Sequence, residues 1–127
     1  MAVERINPSG MAEPAGIVHV VRSGNVAHIS GQVGRNGAGT SAGADIRSQT
    51  EQVFQNLRSA LASVGAGFED VTKTTVYLTD KTDMEGFREV RSKHLTGELP
   101  ASTLVFVLGL ADPDLKVEVE ATAVIPG

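Results

Sequence analysis

The chain has no cysteine and no tryptophan, and it has a single tyrosine among 127 residues. Without cysteine there is no disulfide, no thiolate nucleophile and no thiolate zinc site. Aromatic residues are 4% of the total, too few to build a base-stacking platform for single-stranded nucleic acid. Long apolar runs are missing too. None approaches the roughly 20 residues that a membrane-spanning helix requires. The stretch from Met1 to Gly16 has no basic-then-apolar leader pattern, so the cytoplasm is the expected compartment. Basic charge is scarce: 11 Lys and Arg against 15 Asp and Glu leave a net charge of -4. Nucleic-acid affinity comes mostly from clustered cations, and here the basic residues are scattered.

What is present reads as one domain, 1–127, of ordinary hydrophobic content. The Gly-rich segment Gly34–Gly43 lacks the Lys-Ser/Thr that completes a phosphate-binding loop, and it reads as a flexible connection. Ile17–Arg22 and Val26–Val33 read as a hairpin across Ser23-Gly24-Asn25. In the second of these strands, Ala27, Ile29, Gly31 and Val33 alternate with Val26, His28, Ser30 and Gln32. A helix is predicted from Asp45 to Val64, because Ile46, Val53, Phe54, Leu57, Leu61 and Val64 share one stripe. Val71–Thr79 is a strand. A second helix follows, opened by a Thr82–Glu85 capping box, with Met84, Phe87, Val90 and Leu95 on its apolar side and Gly97 at its end. Thr103–Leu108 and Lys116–Ile125 are the last strands. The order is β-β-α-β-α-β-β, an α+β fold with both helices on one face of a mixed sheet. On the final strand Val117, Val119, Ala121 and Ala123 face the helices. Lys116, Glu118, Glu120 and Thr122 face away, toward solvent or another subunit.

Several segments then become recognisable. Ile29–Val33, Gln52–Leu57, Val71–Tyr77, Leu99–Ala101 and Val117–Ala121, with the opening Arg5–Pro8, resemble the Rid family (reactive intermediate deaminases, also called the YjgF or perchloric-acid-soluble-protein family). The match runs along nearly the whole chain in order. The resemblance implies a chorismate-mutase-like fold and a homotrimer whose sheets line a central barrel. It further implies one small-molecule cleft at each subunit interface. It also implies hydrolysis of enamines and imines to 2-keto acids and ammonia, with no metal or organic cofactor. In such clefts an arginine clamps the substrate carboxylate, a glutamate handles water, and a serine with nearby backbone groups completes the pocket.

Carried onto this chain, the resemblance assigns the glutamate to Glu120 and the serine to Ser30, the two expected catalytic residues. Gly31 would let a ligand approach the backbone closely. Glu118, about 7 Å along the same strand face, reads as a strand residue. Three positions depart from the pattern. Ser102 stands where the deaminases carry arginine, and it replaces a bidentate cationic fork by one neutral donor. Ile17 takes the place of a pocket tyrosine. Arg88 takes that of an asparagine, and it would return a guanidinium to the cleft if it pointed there. Carboxylate-bearing imines, 2-imino acids among them, are therefore expected to be poor substrates. His19, His28 and His94 are dispersed and no metal is expected. A hydrolase using Glu120 and Ser30, a non-catalytic trimeric binder using the same cleft, and a nucleic-acid protein are the three readings. The net negative charge makes the last the weakest.

Overall fold

A computed structural model describes residues 2–127. Among these, six strands and two α-helices run in the order β1 (Val3–Ile6), β2 (Val20–Ser23), β3 (Val26–Val33), α1 (Ile46–Ala62), β4 (Val71–Leu78), α2 (Met84–His94), β5 (Ala101–Phe106) and β6 (Val117–Val124). They form one mixed sheet ordered β1-β2-β3-β6-β4-β5. Only β4 and β5 pair in parallel. β6, last in the chain, slots antiparallel between β3 and β4, so the two helices act as crossovers over one face. The expected α+β class and the single helical layer are both present. No helix among the described residues is long and apolar enough to cross a membrane.

The helices form where their ends are satisfied. Asp45 caps α1, its carboxylate accepting from Ser48 N–H at 3.0 Å. Gly65, at φ 72°, turns the chain out of the helix. At α2 the expected Thr82 capping box is replaced by a short 3-10 turn, Lys81–Asp83, capped by Asp80. The Asp80 carboxylate accepts from both the backbone N–H and the hydroxyl of Thr82, at 2.9 and 2.8 Å. Asp80 thus takes the Thr82 N–H that the box would have given to the Glu85 carboxylate.

Helix residues Val53, Phe54, Leu57 and Leu61, with Phe87 of α2, form one core with Val117, Val119, Ala121 and Ala123 of β6. Phe54 sits at its centre, stacked on His94 at 5.1 Å and flanked by Phe68 and Phe87 at 5.9 and 6.4 Å. β1 was not anticipated. A four-residue edge strand with three exposed residues has no buried face, so its sequence carries no period. The strand expected from Ile17 begins only at Val20, and the one expected over Thr103–Leu108 spans Ala101–Phe106.

The Gly-rich segment is tied down rather than free. Arg35 bridges to Asp112 and Asp114, and Asn36 Oδ1 accepts from the N–H groups of Ala38 and Thr40. Beneath it, fully buried Gln49 donates to the carbonyls of Gly43 and Asp114, both at 2.9 Å, and accepts from Lys116 N–H at 2.8 Å. Gln49→Leu keeps the volume but leaves these backbone groups unpaired. It is expected to cost about 2–4 kcal/mol, read from the urea unfolding midpoint.

Candidate functional site

β3 does not alternate to its end. Ile29 pairs with Ala121 but Gln32 with Val119, so Ser30 and Gly31 together oppose Glu120 in a β-bulge. The extra residue reverses the faces that follow. Gln32, expected on the open face, turns inward and is 3% exposed, while Gly31 and Val33 turn outward. Gln32 Nε2 donates to Ser30 O at 3.0 Å and to His19 Nδ1 at 3.1 Å, and His19 Nε2 in turn donates to Ala12 O at 2.6 Å. This chain of bonds assigns the Nε2–H tautomer to His19 and fastens segment 12–19 over the bulge.

The bulge creates room on the open face. The Glu118 carboxylate lies directly against Gly31, and a Cβ built there would come within 2.8 Å of Glu118 Cδ. Gly31 is thus needed for the close approach of a side chain from the neighbouring strand. Glu118 is half-buried, and its carboxyl is pushed above the usual range, first by burial and then by the negative charge of Glu120. Glu120 itself is exposed. It accepts a hydrogen bond from the Tyr77 hydroxyl at 2.9 Å, which holds that phenol above its usual range. Of the two acids, the perturbed one is Glu118, which had read as a plain strand residue. The bulge sets it apart, and a register break leaves no mark in alternation alone.

Ser30 stands at the bulge, but its hydroxyl proton is used. Oγ donates to Val18 O at 2.6 Å, so the side chain offers a ligand lone pairs rather than a proton. Ile17 is 60% exposed and shares a shallow pocket of about 200 Å³ with Gly31, His19 and Met11.

Ser102 lies elsewhere. It pairs with Thr74 across β5 and β4, and Thr74 Oγ1 donates to its Oγ at 3.0 Å. It lines a groove of about 320 Å³ against α2, with Arg91, Ser92, Leu95, Leu99 and Pro100. Arg88 is exposed and lines none of this groove. The guanidinium there belongs to Arg91, one turn further along α2. Three strand spacings, about 14 Å, separate β3 from β5. Ser102 also faces the helical layer, whereas Glu118 and Glu120 point away from it. A single chain therefore places Ile17 and Gly31 in one pocket and Glu118 against Gly31, next to Ser30 in the bulge, but leaves Ser102 apart from them. Among the described residues, no three His, Asp or Glu side chains gather as a metal site.

Comparison with known proteins agrees with this architecture. A family model described as Endoribonuclease L-PSP matches residues 11–125. A RutC family protein of Pyrococcus abyssi is 34% identical over 125 residues, covering 97% of this chain and 98% of that one. The mouse protein named 2-iminobutanoate/2-iminopropanoate deaminase is 35% identical over 98 residues, 76% of this chain and 72% of its own. The crystal structure of RidA from an Antarctic Psychrobacter superposes with a TM-score of 0.90 at 30% identity, covering 96% of this chain and 99% of that one. With a family model spanning nearly its whole length, and relatives and folds in agreement, the chain belongs to the Endoribonuclease L-PSP family, the YjgF/Rid proteins.

Proposed function

We propose that the protein is a homotrimer that hydrolyses imines or enamines of a small metabolite in clefts between neighbouring chains, without a metal or organic cofactor. One wall of each cleft is the Ser30–Gly31 bulge with Ile17 and Glu118. The other is the neighbour's groove around Ser102. The observation that carries this reading is the half-buried Glu118 carboxyl set against Gly31, with its proton affinity raised.

Imine hydrolysis adds water to the C=N carbon, moves a proton onto nitrogen, and expels ammonia as the carbonyl forms. A carboxyl that titrates nearer neutrality than an ordinary glutamate serves both transfers, taking a proton from water and returning one to nitrogen. Glu118 fits this role better than Glu120, whose place beside Tyr77 makes it a source of negative potential on Glu118. Ser30 orders segment 17–19 and accepts hydrogen bonds from a ligand. Relatives named as 2-iminobutanoate/2-iminopropanoate deaminases support the reaction class. Ser102 argues against their substrates. A neutral hydroxyl in place of a bidentate fork forfeits on the order of a hundredfold in carboxylate binding from that position. The negative open face, with Glu118 and Glu120, disfavours a phosphate backbone there.

Support for assembly comes from β5, an edge strand with five of six residues exposed, and from Leu99, exposed by 70% beside it. Light scattering is expected to give three times the 13.2 kDa chain mass. Ammonia release from imines generated in situ is expected to be faster with the protein than without it. A monomer, or no acceleration with neutral and anionic imines alike, would sink the proposal.

A further inference from the structure

Among the described residues, two of the seven arginines form ion pairs. Arg35 is paired with two aspartates and Arg47 with Glu89. Arg91 differs. Among the described residues no carboxylate forms an ion pair with it and no acceptor takes its guanidinium hydrogens, although five N–H groups are available. Its position is nevertheless defined. Cζ lies 5.3 Å from the centroid of the Phe87 ring, which holds the side chain by cation–π contact. It is partly withdrawn from water, and burial, with Arg88 nearby, lowers its proton affinity. A desolvated cation without an anion costs free energy that a bound anion would return.

The groove it lines has the character of a ligand site. Hydroxyls of Ser92, Thr74 and Ser102 supply polar contacts, and Leu95 and Leu99 supply an apolar flank. We propose that Arg91 anchors the carboxylate of a small organic anion whose branched apolar body lies along Leu95 and Leu99. This deepens the cleft reading and rests on it only for the second wall. The anchor stands on α2 rather than β5, so the carboxylate is held from the helix side and the ligand is longer than a two- or three-carbon acid. A phosphate dianion fits less well. The groove lies at the C-terminal end of α2, where the helix dipole is negative, and it holds one guanidinium with no second cation.

The probes are 4-methylpentanoate, its neutral amide 4-methylpentanamide, and inorganic phosphate, titrated into the full-length protein by calorimetry. Light scattering on the same samples gives the oligomeric state. Saturable binding of 4-methylpentanoate is expected, with the amide and phosphate much weaker. Arg91→Met, which keeps the packing on Phe87, is expected to weaken 4-methylpentanoate on the order of 10–100-fold, as loss of a charge-assisted hydrogen bond implies. Arg91→Lys should fall between, and Arg88→Met should bind like the parent. If Arg91 serves only to neutralise the helix end, Arg91→Met will lower the melting temperature and leave affinity unchanged, which overturns the inference. No binding to the parent, or equal binding of the amide, overturns it too. A monomer that binds through Arg91 would defeat the trimeric cleft and leave this site standing. A trimer that does not bind would do the reverse.

Discussion

Glu118→Gln is expected to lower imine hydrolysis by about 100-fold or more and to raise the stability of the protein at neutral pH. The first effect follows from removing the group that moves protons in the proposed reaction. The second follows from the direction of its perturbation. Burial and Glu120 raise the Glu118 carboxyl above its unfolded value, so the native state binds that proton more tightly than the unfolded chain does. Stability from this group is therefore fully present below the unfolded value, near pH ~4.3, and is lost as pH rises through the folded one. Glutamine is neutral throughout and escapes that loss. The variant's advantage should be absent in acid, grow as pH rises, and level off once Glu118 is ionised in the folded protein. Ammonia-release rates and urea unfolding at a series of pH values read both effects. Glu120→Gln is the control: its carboxylate is exposed and, among the described residues, engaged only by Tyr77, so a loss of less than about tenfold is expected. If Glu120→Gln is the inactive variant and Glu118→Gln is not, the chemistry belongs to the exposed acid. Such a gain in stability at the expense of activity is the usual sign of a functional group held in an unfavourable setting.

The largest loss of stability is expected from Phe54→Ala. Phe54 is 1% exposed and its ring touches Phe68, Phe87 and His94. Truncation removes buried aromatic area and leaves a cavity between α1, α2 and the 3-10 turn Phe68–Asp70, at a cost of about 3–5 kcal/mol. That is a large part of the 5–15 kcal/mol or so by which domains of this kind are stable. Phe106, 37% exposed on the edge strand β5, offers a comparison. Phe106→Ala should cost less than about 1 kcal/mol within one chain, and any larger effect should track assembly. Both are measured by urea unfolding at one fixed protein concentration, because subunit association contributes to apparent stability. A Phe54→Ala protein that unfolds within about 1 kcal/mol of the parent would show that this cluster is not the centre of the core.

Much of the fold is legible in the order of the residues. The apolar stripe of α1, the alternation of Val117, Val119, Ala121 and Ala123, and the Asp45 cap are local patterns, and local geometry imposes them. The resemblance to the YjgF/Rid proteins lies in short segments in fixed order, and it survives any detail of placement. The candidate site is less legible there, for one physical reason. Alternation assigns faces only while a strand keeps step with its partner, and the bulge at Ser30–Gly31 breaks step. That single register shift turns Gln32 into the core, opens the space over Gly31, and makes Glu118 rather than Glu120 the shielded acid.

Arg91 and Arg88 show the same limit on a helix. Three residues apart, they share a general direction, and nothing local says which one meets β5; the crossover packing of α2 decides it. Residue order alone thus determined the elements, the residues that supply the core and the family, because these are written in hydrophobic period and in the order of short segments. Only the tertiary structure decided which carboxyl is withdrawn from water and which guanidinium enters the groove, because desolvation is set by neighbours that come from distant parts of the chain.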